Sequence, residues 1–163
     1  MPATILLEPV QAADLPQVRA LLARLALDEG RPDVMTADER ALARLFLDGA
    51  SPAEAFMVRR QGRDVGLVVT MPAISTFRGM VGLHLEDVVL APEARGMGLG
   101  RAVMAAVARL AQARGAAFLD WSAVAANTGA QAFYRALGCR ADGDTLLYRL
   151  DRAGLDALAE DAI

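Results

Sequence analysis

Val88-Val89-Leu90-Ala91-Pro92-Glu93-Ala94-Arg95-Gly96-Met97-Gly98-Leu99-Gly100-Arg101 passes from an apolar, strand-like run through a glycine-rich bend into a helical pattern. Glycine at every second position from Gly96 to Gly100 lets consecutive backbone N–H groups turn towards one point, and the helix that follows adds the positive end of its dipole. Such a bend is a nest for an anion, most simply a pyrophosphate. Arg95 and Arg101 bracket it and supply charge-assisted donors. A glycine turn serving only close strand-helix packing would not require two arginines at the helix start. Two familiar nucleotide motifs do not fit. G-x-G-x-x-G fails because Arg101 or Val103 falls where the last glycine belongs. A Walker loop fails for want of lysine, since all seventeen basic residues are Arg. What remains is R-x-x-G-x-G, from Arg95 to Gly100.

Working outward, Leu83-His84-Leu85-Glu86-Asp87-Val88-Val89-Leu90 reads as the strand leading into the bend, starting near Gly82. Val103, Met104, Val107, Leu110 and Ala111 give the apolar stripe of the helix leaving it, which stops at Gly115. Upstream, Ala55 to Arg59 and Val65 to Thr70 flank Gln61-Gly62-Arg63-Asp64, a hairpin signature. Before it stand a strand from Thr4 to Glu8 and a helix capped by Asp14 with Leu15, Val18, Leu21, Leu22 and Leu25 inward. A second helix is opened by the capping box of Thr36 and Glu39. Downstream, Phe118 to Ala123 predicts a strand, Asn127 to Leu137 a helix, Thr145 to Leu150 a closing strand, and the residues after Asp151 a short helix. The expected fold is one α/β domain over residues 1–163, its mostly antiparallel mixed sheet flanked by helices on both faces, in the order β-α-α-β-β-β-α-β-α-β.

Composition narrows the function. The 163 residues suit one hydrophobic core, and although 55% are hydrophobic, charges interrupt every apolar run well short of the ~20 residues a membrane span needs. The N-terminus lacks the basic region and length of a signal peptide, so a cytoplasmic location is expected. One cysteine, Cys139, and one histidine, His84, leave too few ligands for a sulfur or imidazole metal site, so no metal is expected. Net charge is −3 with no basic stripe, which argues against nucleic acid as a partner. The absence of lysine also removes Schiff-base chemistry.

The Arg95 to Gly100 motif and the order of elements resemble the GNAT superfamily of N-acetyltransferases. Leu85 to Leu90, Asn127 seven residues ahead of Tyr134, Phe133-Tyr134-Arg135-Ala136-Leu137-Gly138, and Leu25-Ala26-Leu27-Asp28-Glu29 look like its diamine branch, the spermidine/spermine and thialysine acetyltransferases. The resemblance implies acetyl-CoA as co-substrate and direct attack by an amine within a ternary complex. It places backbone groups of Val88, Val89 and Leu90 on the pantetheine arm, and Arg95, Gly96, Met97, Gly98, Leu99, Gly100 and Arg101 on the pyrophosphate. Asn127, Thr128, Gly129 and Ala130 would meet the cofactor from the other side. A homodimer is expected on the same ground.

An alkyl ammonium with a pKa of ~10.4 must lose a proton before it can attack a thioester, and the thiolate that leaves needs a donor. By the resemblance, Glu86 is the base, directly or through water, and Tyr134 the general acid, with a backbone N–H near Val88 for the oxyanion. Asp28 and Glu29 would hold a distal ammonium, with Glu29 the better match, and Phe77, Glu86, Asp120, Trp121 and Ser122 would line the acceptor site. His84, on the same strand face as Glu86, is assigned to packing or to lining that site. Asp28 replaces an aromatic residue of the branch, Phe77 a tryptophan, and a last-strand aromatic is replaced near Thr145. The acceptor is accordingly a polyamine, a lysine analogue or an amino acid. The competing readings are a non-catalytic acyl-CoA-binding module, an acetyltransferase of protein amines, a nucleotide-dependent ligase or kinase, and a serine hydrolase. Glu86 and Tyr134 argue against the first, and the missing lysine and the absence of a G-x-S-x-G elbow against the last two.

Overall fold

The computed structural model describes residues 4–160. It divides into a larger unit reaching Gln131 and a smaller one from Ala132 onward. In the larger unit five strands, β1 (Leu6–Pro9), β2 (Glu54–Arg60), β3 (Arg63–Ser75), β4 (Met80–Leu90) and β5 (Leu119–Trp121), form one sheet in sequence order. The first four are antiparallel, and β5 joins β4 in parallel. A parallel neighbour requires a crossover, here made by α3 (Leu99–Ala113). Between β1 and β2 lie α1 (Leu15–Asp28) and α2 (Glu39–Phe46).

Residues 55–58 of β2 and 66–70 of β3 are buried without a break. Successive strand residues point to opposite faces, so both faces of this part of the sheet are covered. The cover comes from α1, which packs against β3 and β4, and from α3, which packs against β4. Met57, Val58, Leu67, Val68 and Leu85 of the sheet, Val18 of α1 and Val103 and Val107 of α3 are all fully buried and make up the core. Gln61 and Gly62, both at positive φ, make the two-residue β2–β3 turn. Arg59 gathers Glu8, Asp14 and Asp64, fastening β1, the start of α1 and the hairpin together.

Two capping expectations are corrected. Asp14 stands at the N-cap of α1 but makes no side-chain cap bond, because its carboxylate accepts from the Gln11 amide and from Arg59. Asp38 rather than Thr36 caps α2, accepting from the Ala41 amide at 2.7 Å.

The helix α4 (Thr128–Ala136) runs across the boundary between the units, and α5 (Arg152–Glu160) ends the described chain. The closing strand expected from Thr145 to Leu150 is not formed. A strand needs a partner edge, and the described residues of the smaller unit contain none. Thr145 instead donates its hydroxyl to Asp142, which also accepts from the Asp144 amide, a local turn in place of a ladder. The described order is therefore β-α-α-β-β-β-α-β-α-α.

Candidate active site at the end of β4

The β3–β4 ladder is not regular. Val69 pairs with Asp87 and Thr70 with Leu85, so Glu86 has no residue opposite it and forms a β-bulge. Bulges re-aim side chains. Leu85 stays in the core, Glu86 reaches solvent, and Asp87 is half-buried beside it. Burial, reinforced by the neighbouring carboxylates of Glu86 and Glu29, pushes the Asp87 carboxyl up to about 6. Carboxylates from the end of α1 and from the bulge therefore act on one locality.

The sign of this shift gives a test. A carboxyl raised from 3.8 to about 6 on folding costs stability as pH rises through that window and nothing below it. Asp87→Asn is expected to stabilise the fold at pH 7 by on the order of 2 kcal/mol and not at pH 3.5, as read by denaturant titration at the two pH values. An equal change at both would show that the carboxyl is not strained by its surroundings.

His84 lies two residues before the bulge, in register with Asp120 of β5. Its Nδ1 is 2.6 Å from Asp120 Oδ1, and its Nε2 is 3.4 Å from Glu86 Oε2. The pairing of β4 with β5 ends at Leu85 and Trp121, and among the described residues no strand pairs with Glu86 to Leu90 on that side. The Ala91 amide donates to the Val65 carbonyl. Because bonded and non-bonded positions alternate in an antiparallel ladder, this turns the N–H and C=O of Val88 and Leu90 away from β3 and into the free edge. Arg95 Nε donating to the Leu90 carbonyl at 3.0 Å agrees with that direction.

After a short 3₁₀ turn at Pro92–Ala94 comes the glycine bend. Gly96 and Gly98 sit at φ 73° and 71°, and Gly98 is the N-cap of α3, whose first-turn amides have no intrahelical acceptor. Nothing lies within 4 Å of where a Cβ would stand at Gly96 or Gly98. The bend is thus uncrowded at both glycines, beside the first-turn amides of α3. Leu99 anchors it in the core, while Met97 and Arg101 are exposed. Gly98→Ala forces a side chain into left-handed backbone at a cost of about 1–2 kcal/mol. It is expected to raise the Kd for acetyl-CoA about tenfold by calorimetry; unchanged affinity would place the pyrophosphate elsewhere.

The remaining expected residues are distributed as follows. Arg95 also donates to Asp28 Oδ2 at 2.5 Å, and Arg24 pairs with the same carboxylate at 2.7 Å. Burial alone would raise the Asp28 carboxyl, but these hydrogen bonds outweigh it and hold it below the ordinary range. Residues assigned to acceptor and cofactor thus bind each other, joining the end of α1 to the bend. Glu29 is the C-cap of α1. Asn127 caps α4, its Oδ1 accepting from Ala130 N at 3.0 Å, so Thr128, Gly129 and Ala130 form the first turn. Trp121 ends β5 opposite Leu85, and Ser122 is exposed just beyond. Phe77 is fully exposed at the tip of the β3–β4 hairpin. Six strand positions, roughly 20 Å, separate Met80 from Glu86, so the chain's own Phe77 is not brought to Glu86. Tyr134 belongs to the smaller unit, where its ring lies 5.3 Å from that of Phe133 and its carbonyl accepts from Cys139. Among the described residues no His, Cys, Asp and Glu grouping suited to a metal ion is present, and no helix is long and apolar enough to cross a membrane.

One residue of the site, Asp87, escaped the sequence, hidden by simple alternation, which the bulge breaks. His84 and Asp120 were both expected near the acceptor, but their closeness depends on a parallel register that no local pattern encodes.

Residues 19–139 match the acetyltransferase (GNAT) family. Nothing among curated proteins matches the chain. Among solved structures, an integron cassette protein from the mobile metagenome of V. cholerae is similar with a TM-score of 0.77 at 20% identity, over 96% of this chain and 98% of that one. A ribosomal-protein-alanine N-acetyltransferase from Brucella melitensis biovar Abortus 2308 has a TM-score of 0.71 at 20% identity, over 91% and 100%. An aminoglycoside acetyltransferase from an uncultured soil metagenomic sample, in complex with sisomicin, has a TM-score of 0.71 at 15% identity, over 90% and 97%. At these identities the likeness is one of fold.

Proposed function

The chain belongs to the acetyltransferase (GNAT) family and is an acetyl-CoA-dependent N-acetyltransferase, and on that premise we propose that its acceptor is the primary amine of a small cationic molecule: a polyamine, a lysine analogue or an amino acid, as in the diamine branch. The observation that carries this reading is the convergence of Glu29, Glu86 and Asp87: the Asp87 carboxyl is raised first by its burial and further by the charges of Glu86 and Glu29. Uncompensated carboxylates favour a positively charged acceptor.

The open bend from Gly96 to Arg101 and the outward-turned groups of Val88 and Leu90 suit acetyl-CoA, which brings the activated acetyl group. Within the chain, Glu86 receives the ammonium, and a base beside it takes the proton. The outward Val88 amide is the donor for charge that develops on the acetyl oxygen. Tyr134 is proposed as the acid for the departing sulfur. Glu29 would hold a second ammonium on a longer acceptor.

A panel of polyamines, lysine analogues, amino acids and peptides, assayed with acetyl-CoA by release of free thiol, tests this reading. Turnover is expected with the small cationic amines. Turnover with peptides alone would overturn it, and acetyl-CoA binding without turnover of any amine would favour a non-catalytic carrier.

A further inference from the structure

We propose that His84, held by Asp120, is the group that takes the proton from the acceptor, and that Glu86 anchors the ammonium and steadies the imidazolium that results. The proposal rests on the reading of the acceptor as an amine and adds to it the proton's destination. Asp120 Oδ1, an acceptor when ionised, lies 2.6 Å from Nδ1, so the neutral ring carries its proton on Nδ1 and leaves the lone pair on Nε2. That lone pair faces Glu86 Oε2 at 3.4 Å. Two acceptors so placed have no proton to share. One ammonium nitrogen can stand within hydrogen-bond reach of both.

The fold places these atoms for structural reasons independent of one another. The parallel β4–β5 register sets His84 beside Asp120, and the bulge sets Glu86 at the mouth of the free edge. His84 is 23% exposed, enough to pass a proton to solvent after each turnover. Among the described residues its ion-pair partners are Asp120 from β5 and Glu86 on β4 itself; its β3 partner in the ladder, Met71, carries no charge.

The step balances. An N–H bond of the ammonium breaks and one forms at Nε2, freeing the nitrogen lone pair. The amine then forms its bond to the acetyl carbon as the carbon–sulfur bond breaks. The second nitrogen proton ends on the sulfur, giving the free thiol, and the first leaves Nε2 for solvent.

The test compares His84→Gln with the unsubstituted chain from about pH 7 to pH 10, on whichever amine the latter turns over, with acetyl-CoA affinity and Tm as controls. At pH 7.5 kcat/KM is expected to fall about a hundredfold with acetyl-CoA affinity unchanged. The deficit should shrink by about tenfold per pH unit, because the variant depends on amine that has lost its proton in solution, with a pKa of ~10.4. Added imidazole should restore part of the rate at pH 7.5. Asp120→Asn should show the same pH signature with a smaller deficit. A deficit constant across the pH range would reduce His84 to a structural role, and a rate within about threefold of the parent at pH 7.5 would return the proton to Glu86. Either result overturns the proposal. Turnover of peptides alone would instead sink the small-amine reading, and the same pH comparison on the peptide would still decide the base.

Discussion

Glu86→Gln is expected to lower kcat/KM for the acceptor about a thousandfold while leaving acetyl-CoA affinity unchanged. The substitution keeps the shape of the side chain and removes its charge, and with it the anchor for the ammonium and one of the two carboxylates flanking His84. Acetyl-CoA should be indifferent, because the groups assigned to it are the amides of the glycine bend and the backbone of Val88 and Leu90. A second readout is independent of turnover. The Glu86 charge is one cause of the raised Asp87 carboxyl, so its removal should let Asp87 titrate at lower pH, which carboxyl-detected NMR would follow. Steady-state rates within about threefold of the parent, or an unmoved Asp87, would show that Glu86 is not where the chemistry is.

Gly66→Ala should damage both stability and cofactor binding. Gly66 faces Leu90 across the β3–β4 ladder, and a Cβ added there would stand 2.3 Å from the backbone oxygen of Val89 and 3.3 Å from Leu90 Cα. No rotamer relieves a contact with main chain, so β3 and β4 must move apart. Overpacking of this kind costs about 1–3 kcal/mol, and at about 2–4 °C per kcal/mol the Tm should fall by roughly 2–12 °C. The displaced residues include those whose outward N–H and C=O are assigned to the cofactor, so the Kd for acetyl-CoA is expected to rise in parallel. A lowered Tm with unaltered affinity would separate the sheet from the cofactor site. An unaltered Tm would mean that the strands approach less closely here than described.

The parts of this protein that were legible in the sequence are those governed by local chemistry. Gly96 and Gly98 announce a bend because other residues resist positive φ, and the spacing from Val103 to Ala111 announces α3 because one face must be buried. The hairpin around Gln61-Gly62 and the stop at Gly115 belong to the same class. Features set by pairing were hidden. The segment from Thr145 to Leu150 has the composition of a strand, but its unit offers no edge to complete it. Thr36 looked like a cap, yet Asp38 stands one residue ahead of the helix and its carboxylate reaches the Ala41 amide. At the site, Glu86 was recognisable by type and place. The bulge that separates it from Asp87, and the register that delivers Asp120 to His84, arise from strands distant in sequence. The expectation that Arg95 and Asp28 serve different ligands overlooked that opposite charges from separate elements can neutralise each other.

The interrupted seam between β4 and β5 has a consequence for how the molecule behaves when empty. A sheet edge whose main-chain groups are not paired by a strand offers them to any extended segment, including another molecule of the same protein. A bound pantetheine arm would occupy those groups, so saturation with acetyl-CoA should slow deuterium uptake at Val88 and Leu90 and make the protein less prone to self-association on storage.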